Sequence, residues 1–105
     1  MHETLFVVTE ALEGPAVERW GRLFAEAAAR RPRRLVLDLR HSQRIDAAAI
    51  ELLLQLHRRL LGSGGRLVLR APGARVRRTL ILARVEQVLD VEDACPGPIA
   101  LADAR

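Results

Sequence analysis

The sequence alternates between short runs of β-branched and aliphatic residues and longer segments with helical periodicity. The predicted strands are residues 4–8, 34–39, 66–71 and 86–91, and the predicted helices are residues 16–30, 47–61 and 74–84. Parallel strands need long crossover connections, and helices of ten or more residues provide them. The alternation therefore predicts an α/β domain, with helices packed on a mainly parallel sheet.

Glycine and proline mark the boundaries of the predicted helices. Gly14 and Pro15 precede the first helix, Pro32 follows it, and the sequence GSGG at 62–65 ends the second. A chain of 105 residues suits one small hydrophobic core. We therefore expect one domain over residues 1–93 with a four- to five-stranded, mostly parallel mixed sheet, followed by a loose C-terminal tail over residues 94–105.

The charge pattern permits weak attraction to anions but does not require it. All 17 basic residues are arginine, and 13 acidic residues leave a net charge of +4. The clusters RRPRR at 30–34 and RVRR at 75–78 lack the neighbouring aromatic residues that stack on bases. Solvated arginine faces are the favoured interpretation. A basic nucleic-acid-binding module is therefore a less favoured functional alternative, and no specific nucleic acid is expected as a partner.

No set of residues in the sequence predicts catalysis or metal binding. The histidines His2, His41 and His57 are widely separated, and Cys95 is the single cysteine. A metal site needs several ligands close together, and an enzyme needs an acid, a base and a nucleophile in one place. We therefore predict that the protein is not an enzyme, and we assign no catalytic residue, metal ligand or cofactor.

The same features favour a cytoplasmic location. A single cysteine cannot form an intrachain disulfide, which suits a reducing compartment. No segment has the roughly 18 consecutive apolar residues that a membrane span needs. The sequence MHETLFVVTE lacks the pattern of a secretory signal.

The helix predicted over residues 47–61 has an unusually wide apolar surface. One stripe is expected to face the core, and it consists of Ile50, Leu53, Leu54, His57 and Leu61. A second stripe of Leu52, Leu56 and Leu60 widens the apolar arc to about 200°, which exceeds what one sheet contact covers. This second stripe either packs on a neighbouring helix or forms a partner-binding surface.

Residues 5–93 resemble a STAS domain, the fold of bacterial anti-sigma factor antagonists and of the tails of sulfate transporters. The resemblance centres on RRLVLDLRHSQRIDAAAIELLLQLHRRLLGSGGRLVLRAPGARVRRTLILARVEQVLDV. In the family, a strand ends in Asp-Leu, and a six-residue connection leads to Asp-Ser-Ser-Gly-Leu at the start of a helix. Here Asp38 and Leu39 end the strand, residues 40–45 form the connection, and Asp46 and Ile50 match the ends of the motif.

The chain departs from the family at the positions that regulation uses. Ala47 and Ala48 replace the two serines, and Ala49 replaces glycine. In regulated members a kinase-like anti-sigma factor phosphorylates the second serine, whereas Ala48 at that position cannot accept phosphate. Arg44 replaces a usual apolar residue, and EALE at 10–13 stands where members often have Gly-Glu-Leu-Asp.

The resemblance implies a protein-protein interaction module of the anti-sigma factor antagonist type without the phosphorylation switch. The expected partner is a kinase-like anti-sigma factor. In the alternative, the chain is an accessory subunit of a membrane transporter or signalling assembly. The expected partner-binding residues are Arg44, Asp46, Ala47, Ala48 and Ala49, with an exposed flank of Leu52 and Leu56. Asp46 is also expected to cap the helix through the N–H of Ala48 or Ala49.

Overall fold

The computed structural model describes residues 2–93, which form four strands and three helices in strict alternation. In chain order these are β1 (Glu3–Val7), α1 (Pro15–Ala29), β2 (Arg34–Asp38), α2 (Ala47–Gly62), β3 (Arg66–Arg70), α3 (Ala74–Leu82) and β4 (Asp90–Glu92). The first six agree with the predicted elements to within two residues at either end. The predicted tail over residues 94–105, including Cys95, lies outside the described residues.

The four strands form one sheet in the order β1-β2-β3-β4, and every pairing is parallel. The α/β class is therefore confirmed. The antiparallel component that a mixed sheet requires does not occur among residues 2–93, because each connection crosses back over the sheet. All these crossovers run in one direction across the sheet, and right-handed crossovers of that kind place their helices on the same face.

The last predicted strand is largely wrong. Residues 86–88 form a turn, and only Asp90–Glu92 pair with β3. Val85 and Leu89 are buried, and the backbone N–H of Leu89 donates to the carbonyl of Val85 at 2.9 Å. The apolar residues of this segment thus pack into the core from a helical turn, although the composition of the segment is typical of a strand.

One hydrophobic core lies between the sheet and the three helices. Alternate leucines of the central strands face it, namely Leu35, Leu37, Leu67 and Leu69, and all are almost fully buried. Each helix contributes buried residues to the same cluster, among them Phe24 of α1, Leu53 of α2 and Leu80 of α3. All three helices therefore cover one face of the sheet.

The opposite face of the sheet carries ion pairs between neighbouring strands. Arg34 pairs with Glu3 at 2.5 Å, Arg66 with Asp90 at 2.6 Å, and Arg70 with Glu92 at 2.6 Å. Val36 and Val68 alternate with the core leucines and so point to this face, yet they are only 0% and 5% exposed. The aliphatic stems of long arginine side chains can cover apolar surface in this way while their charges stay in water.

Helix α2 buries a different stripe from the predicted one. Its buried residues are Ala49, Ile50, Leu53, Leu56 and Leu60, whereas Leu61 is 52% exposed. The helix contacts both α1 and β3. Its buried face therefore combines residues from both predicted stripes. A Cβ atom placed on Gly21 of α1 would lie 3.4 Å from the side chain of Leu52. Of the two interpretations of the second stripe, packing on a neighbouring helix is confirmed.

Candidate functional site

Asp46 caps the N-terminus of α2. Its Oδ1 atom accepts a hydrogen bond of 2.9 Å from the backbone N–H of Ala49. The backbone of Asp46 is extended, with φ −109° and ψ −177°, as is usual for an N-cap residue. The side chain therefore satisfies a first-turn N–H that has no acceptor within the helix. The expected hydrogen bond from Ala48 or Ala49 is confirmed for Ala49.

The second oxygen of Asp46 holds the start of α1. Its Oδ2 atom accepts a hydrogen bond of 3.0 Å from the backbone N–H of Gly14, the N-cap residue of that helix. Gly14 has φ 58° and ψ −136°, a conformation that glycine adopts without steric cost. One carboxylate thus joins the N-termini of two helices that are far apart in sequence.

These hydrogen bonds also keep Asp46 charged. The pKa of its carboxyl is lowered, chiefly by the bond from Gly14, while partial burial opposes the shift and the bond from Ala49 adds to it. Donors that favour the ionised form lower the pKa of a carboxyl. The carboxylate therefore remains ionised at neutral pH and matches the positive end of the α2 dipole.

The segment before α1 pairs with the segment before α2. The N–H of Leu12 donates to the carbonyl of Arg44 at 2.9 Å, and the N–H of Asp46 donates to the carbonyl of Leu12 at 3.1 Å. Leu12 and Ile45 are both buried. The side chain of Leu12 therefore belongs to the hydrophobic core.

Arg44 forms a two-point ion pair with Glu13 across this pairing. Its Nη2 lies 2.6 Å from Glu13 Oε2, and its Nε lies 3.2 Å from Glu13 Oε1. These bonds raise the pKa of Arg44 and lower the pKa of Glu13. Sequence reasoning missed Glu13, although Arg44 and Glu13 carry opposite charges. That complementarity was the available signal.

The three alanines at the start of α2 do not share one environment. Ala47 and Ala48 are exposed, whereas Ala49 is 0% exposed and its methyl group belongs to the core. The expectation that Ala49 contributes to the binding surface is therefore wrong. The first turn of the helix presents two methyl groups to solvent and one to the sheet, because the helical repeat rotates successive side chains by about 100°.

The expected leucine flank is also buried. Leu56 is only 4% exposed, and Leu52 is partly buried against α1. Leu52 thus packs toward α1 and Leu56 belongs to the core cluster, so this flank is not an exposed surface. The exposed residues beside Ala48 on α2 are Glu51 and Gln55, which lie three and seven positions further on.

The structure thus brings together a smaller and more polar site than the sequence suggested. We call it the α2 N-terminal surface, and it consists of Arg44, Ala47, Ala48, Glu51 and Gln55. Asp46 lies beneath it and fixes its geometry. Within residues 2–93, no group of three or more His, Cys, Asp or Glu side chains is arranged to hold a metal ion, and no helix there is long and apolar enough to cross a bilayer.

Two solved structures have a similar fold. A crystal structure of a proposed anti-sigma factor antagonist from Thermotoga maritima has a TM-score of 0.75 and 17% identity, and the match covers 91% of this chain and 85% of that chain. An NMR structure of the same protein has a TM-score of 0.69 and 18% identity, over 96% and 80% of the two chains. At these identities the similarity concerns the fold.

A family model described as "Mlab, STAS domain" matches residues 7–90. No curated protein sequence matches the chain at a significant level. The matched range includes β2, α2, β3 and α3, together with the Asp46 cap. Because the family model covers most of the 105 residues, the chain belongs to the STAS domain family.

Proposed function

We propose that this chain is a cytoplasmic protein-protein interaction module of the anti-sigma factor antagonist type, and that it binds its partner through the α2 N-terminal surface. The proposal assigns no catalytic step to the chain. It draws support from the family match and from the fold shared with a proposed antagonist.

The observation that carries the proposal is the exposure of Ala47 and Ala48 beside a fully satisfied helix cap. Asp46 uses both carboxylate oxygens to hold Ala49 and Gly14. The first turn is therefore pre-organised before a partner arrives, which lowers the entropic cost of binding. Small side chains at this turn allow the backbone of a partner to approach closely.

The same residues support the absence of a local phosphorylation switch. Residues 44–52 contain no hydroxyl group. Ser42, the nearest hydroxyl before the helix, is only 2% exposed and so is poorly accessible to a kinase. A phosphate at Ala48 would add nearly two negative charges to the surface. Without it, the chain would remain in the binding-competent form.

A second candidate function is an accessory subunit of a membrane transporter or signalling assembly. The exposed Ala48 also favours this alternative, because a permanent subunit needs no switch at that position. The two candidates differ in the partner, and an accessory subunit could contact its partner through a different surface. Identification of the partner therefore separates them.

The decisive experiment compares Ala48→Asp with Ala48→Ser and with the control Ala29→Asp. Ala29 is exposed at the C-terminal end of α1, far from the surface in question. Parent and variant proteins are used as baits in a native lysate, and the captured proteins are quantified by mass spectrometry. The captured partner is then purified and titrated calorimetrically.

We expect Ala48→Asp to weaken partner binding at least ten-fold, because an unpaired carboxylate would lose its hydration in the interface. Its folding should be unaffected or slightly improved, because a negative charge suits a helix N-terminus. Ala48→Ser and Ala29→Asp should bind like the parent. If Ala48→Asp retains parental affinity, the α2 N-terminal surface is not the interface.

A further inference from the structure

A surface cavity at the N-terminus of α3 lies apart from the α2 N-terminal surface. It has a volume of about 300 Å³ and opens beside the loop that follows β2. Its lining residues are Arg40, Ser42, Gln43, Gly73, Ala74 and Arg75. The volume is at the lower end of the range for small-molecule sites. The cavity is therefore large enough for a small group and too small to enclose a large cofactor.

The backbone at the start of α3 offers uncapped donors to this cavity. Gly73 is the N-cap residue and has no side chain with which to cap the helix. The N–H of Arg77 donates to the carbonyl of Gly73 at 2.9 Å, which is the first hydrogen bond of the helix. The preceding N–H groups have no acceptor within the helix, and its first turn contains no acidic residue. Such a helix end attracts anions.

Ser42 provides an independent indication of a ligand. It lines the same cavity, is only 2% exposed, and its Oγ has no hydrogen-bond partner among the described residues. A buried polar group without a partner carries a cost in free energy, so native proteins seldom retain one without a reason. Its Oγ is shielded from solvent in the present conformation, so a change of the side-chain rotamer must turn it toward the cavity, where a ligand oxygen would supply the missing partner.

The cavity also has a cation that is not neutralised. Arg75 is exposed and has no acidic partner within residues 2–93. Arg40 contributes less, because its Nε and its backbone N–H both donate to Asp38 Oδ1, at 3.2 and 3.0 Å. Arginine binds phosphate oxygens through two parallel N–H groups. Arg75 is thus placed to complete a site whose other donors are backbone N–H groups and a hydroxyl.

We propose that this cavity binds a phosphate group, either as free inorganic phosphate or as the end of a small phosphomonoester. The ligand oxygens accept hydrogen bonds from the first turn of α3, from Ser42 and from Arg75. The opening of the cavity leaves room for an organic substituent outside. This site is separate from the α2 N-terminal surface, and its existence does not depend on the identity of the protein partner.

The test is a titration of the ¹⁵N-labelled full chain, followed by NMR at constant pH and ionic strength. One arm uses inorganic phosphate, a second uses glycerol 3-phosphate, and sodium chloride is the reference. We expect saturable shifts of the amide signals of Ser42, Ala74 and Arg75. Tighter binding of inorganic phosphate would identify the free ion as the ligand, and tighter binding of glycerol 3-phosphate would identify a phosphomonoester.

Three variants separate a specific site from general charge attraction. Arg75→Ala should weaken phosphate binding about ten-fold, in line with the loss of a charged hydrogen bond. Ser42→Ala should weaken it several-fold without lowering Tm, because its hydroxyl has no partner in the fold. Arg78→Ala removes an equal charge from an exposed position on the same helix, outside the cavity, and should bind as the parent does.

The proposal is overturned if the amide shifts fail to saturate. It is equally overturned if Arg78→Ala weakens binding as much as Arg75→Ala does, since this would indicate diffuse attraction to arginine. Because Arg75 is exposed, its substitution should leave the fold intact, so the comparison of the two arginine variants remains informative even if Ser42→Ala destabilises the protein.

Discussion

Asp46 accepts hydrogen bonds from the N-termini of two different helices, at Ala49 and at Gly14. An ordinary N-cap satisfies one helix and contributes about 1 kcal/mol to the free energy of unfolding. Here the same carboxylate also fixes the start of α1, so its removal leaves two N–H groups without their acceptor. Its contribution should therefore exceed that of an ordinary cap.

We predict that Asp46→Ala lowers the free energy of unfolding by about 2 kcal/mol, the upper end of the range for helix caps. Asp46→Asn should cost roughly half as much, because asparagine keeps one acceptor oxygen for Ala49 and replaces the other with a donor. Chemical denaturation of both variants measures the difference. A parental stability for Asp46→Asn would show that the bond to Gly14 contributes nothing separate, and equal losses for the two variants would show the same for the bond to Ala49.

The lowered pKa of Asp46 predicts a dependence of stability on pH. Its folded pKa lies below the unfolded value, which is about 3.9 for an aspartate. The contribution to stability is therefore complete above the unfolded pKa, and it is lost as the pH falls through the folded pKa. Glu10 and Glu13 also have lowered pKa values, so the stability of the parent depends on the ionisation of several carboxyl groups.

Comparison of the parent with Asp46→Asn isolates the term from Asp46. The stability difference between them should be constant from pH 7 to about pH 5 and should shrink below about pH 4. Denaturation midpoints measured across this range provide the test. A difference that stays constant down to pH 2 would mean that the charge of Asp46 makes no contribution.

At the scale of the secondary-structure elements, α2 is stabilised on two sides. It packs against β3 and against α1, and its buried stripe lies between the directions of these two contacts. Leu56 sits within that stripe, whereas Leu61 lies at its margin and is 52% exposed. The two leucines therefore form a matched pair for testing how the helix is oriented.

Leu56→Ala should lower the free energy of unfolding by about 2–5 kcal/mol, because it leaves a cavity in the core. Leu61→Ala should cost less than about 1 kcal/mol, because much of the side chain is already in water. Urea denaturation of the two variants provides the measurement. The opposite ranking would support the leucine stripe that the sequence suggested and would contradict the observed rotation of the helix.

At the scale of the whole molecule, the sheet face opposite the helices is not a continuous basic surface among residues 2–93. Acidic residues on neighbouring strands pair with the arginines of the open sheet face, as Arg66 does with Asp90 and Arg70 with Glu92. Exposed ion pairs of this kind contribute little to stability. They do neutralise the arginine charge that this face of the sheet would otherwise present to a nucleic-acid backbone.

We therefore predict weak and strongly salt-dependent binding to duplex DNA. Its Kd should be weaker than about 100 μM at physiological salt, the weak limit of non-specific binding. Fluorescence anisotropy with a labelled duplex at 50 and 200 mM salt measures this. Submicromolar affinity that persists at the higher salt concentration would revive the nucleic-acid-binding alternative.

The positions of six of the seven elements could be predicted from local sequence features alone. Hydrophobic periodicity, turn residues and helix-capping residues act over a few positions, so they can be recognised in a single sequence. The cap formed by Asp46 belongs to this class, because its acceptor and the N–H of Ala49 are three residues apart. The strand over residues 86–91 was predicted wrongly because its composition suits both a strand and a buried turn.

The sequence by itself determined the α/β alternation, the helix boundaries and the absence of any hydroxyl from residues 44–52. Only the tertiary structure decided that Leu56 and Ala49 are buried, that Arg44 pairs with Glu13, and that Asp46 also holds Gly14. The last two contacts join residues more than 30 positions apart. Contacts of this kind depend on which helices and loops the parallel crossovers bring side by side, and no local pattern encodes that proximity.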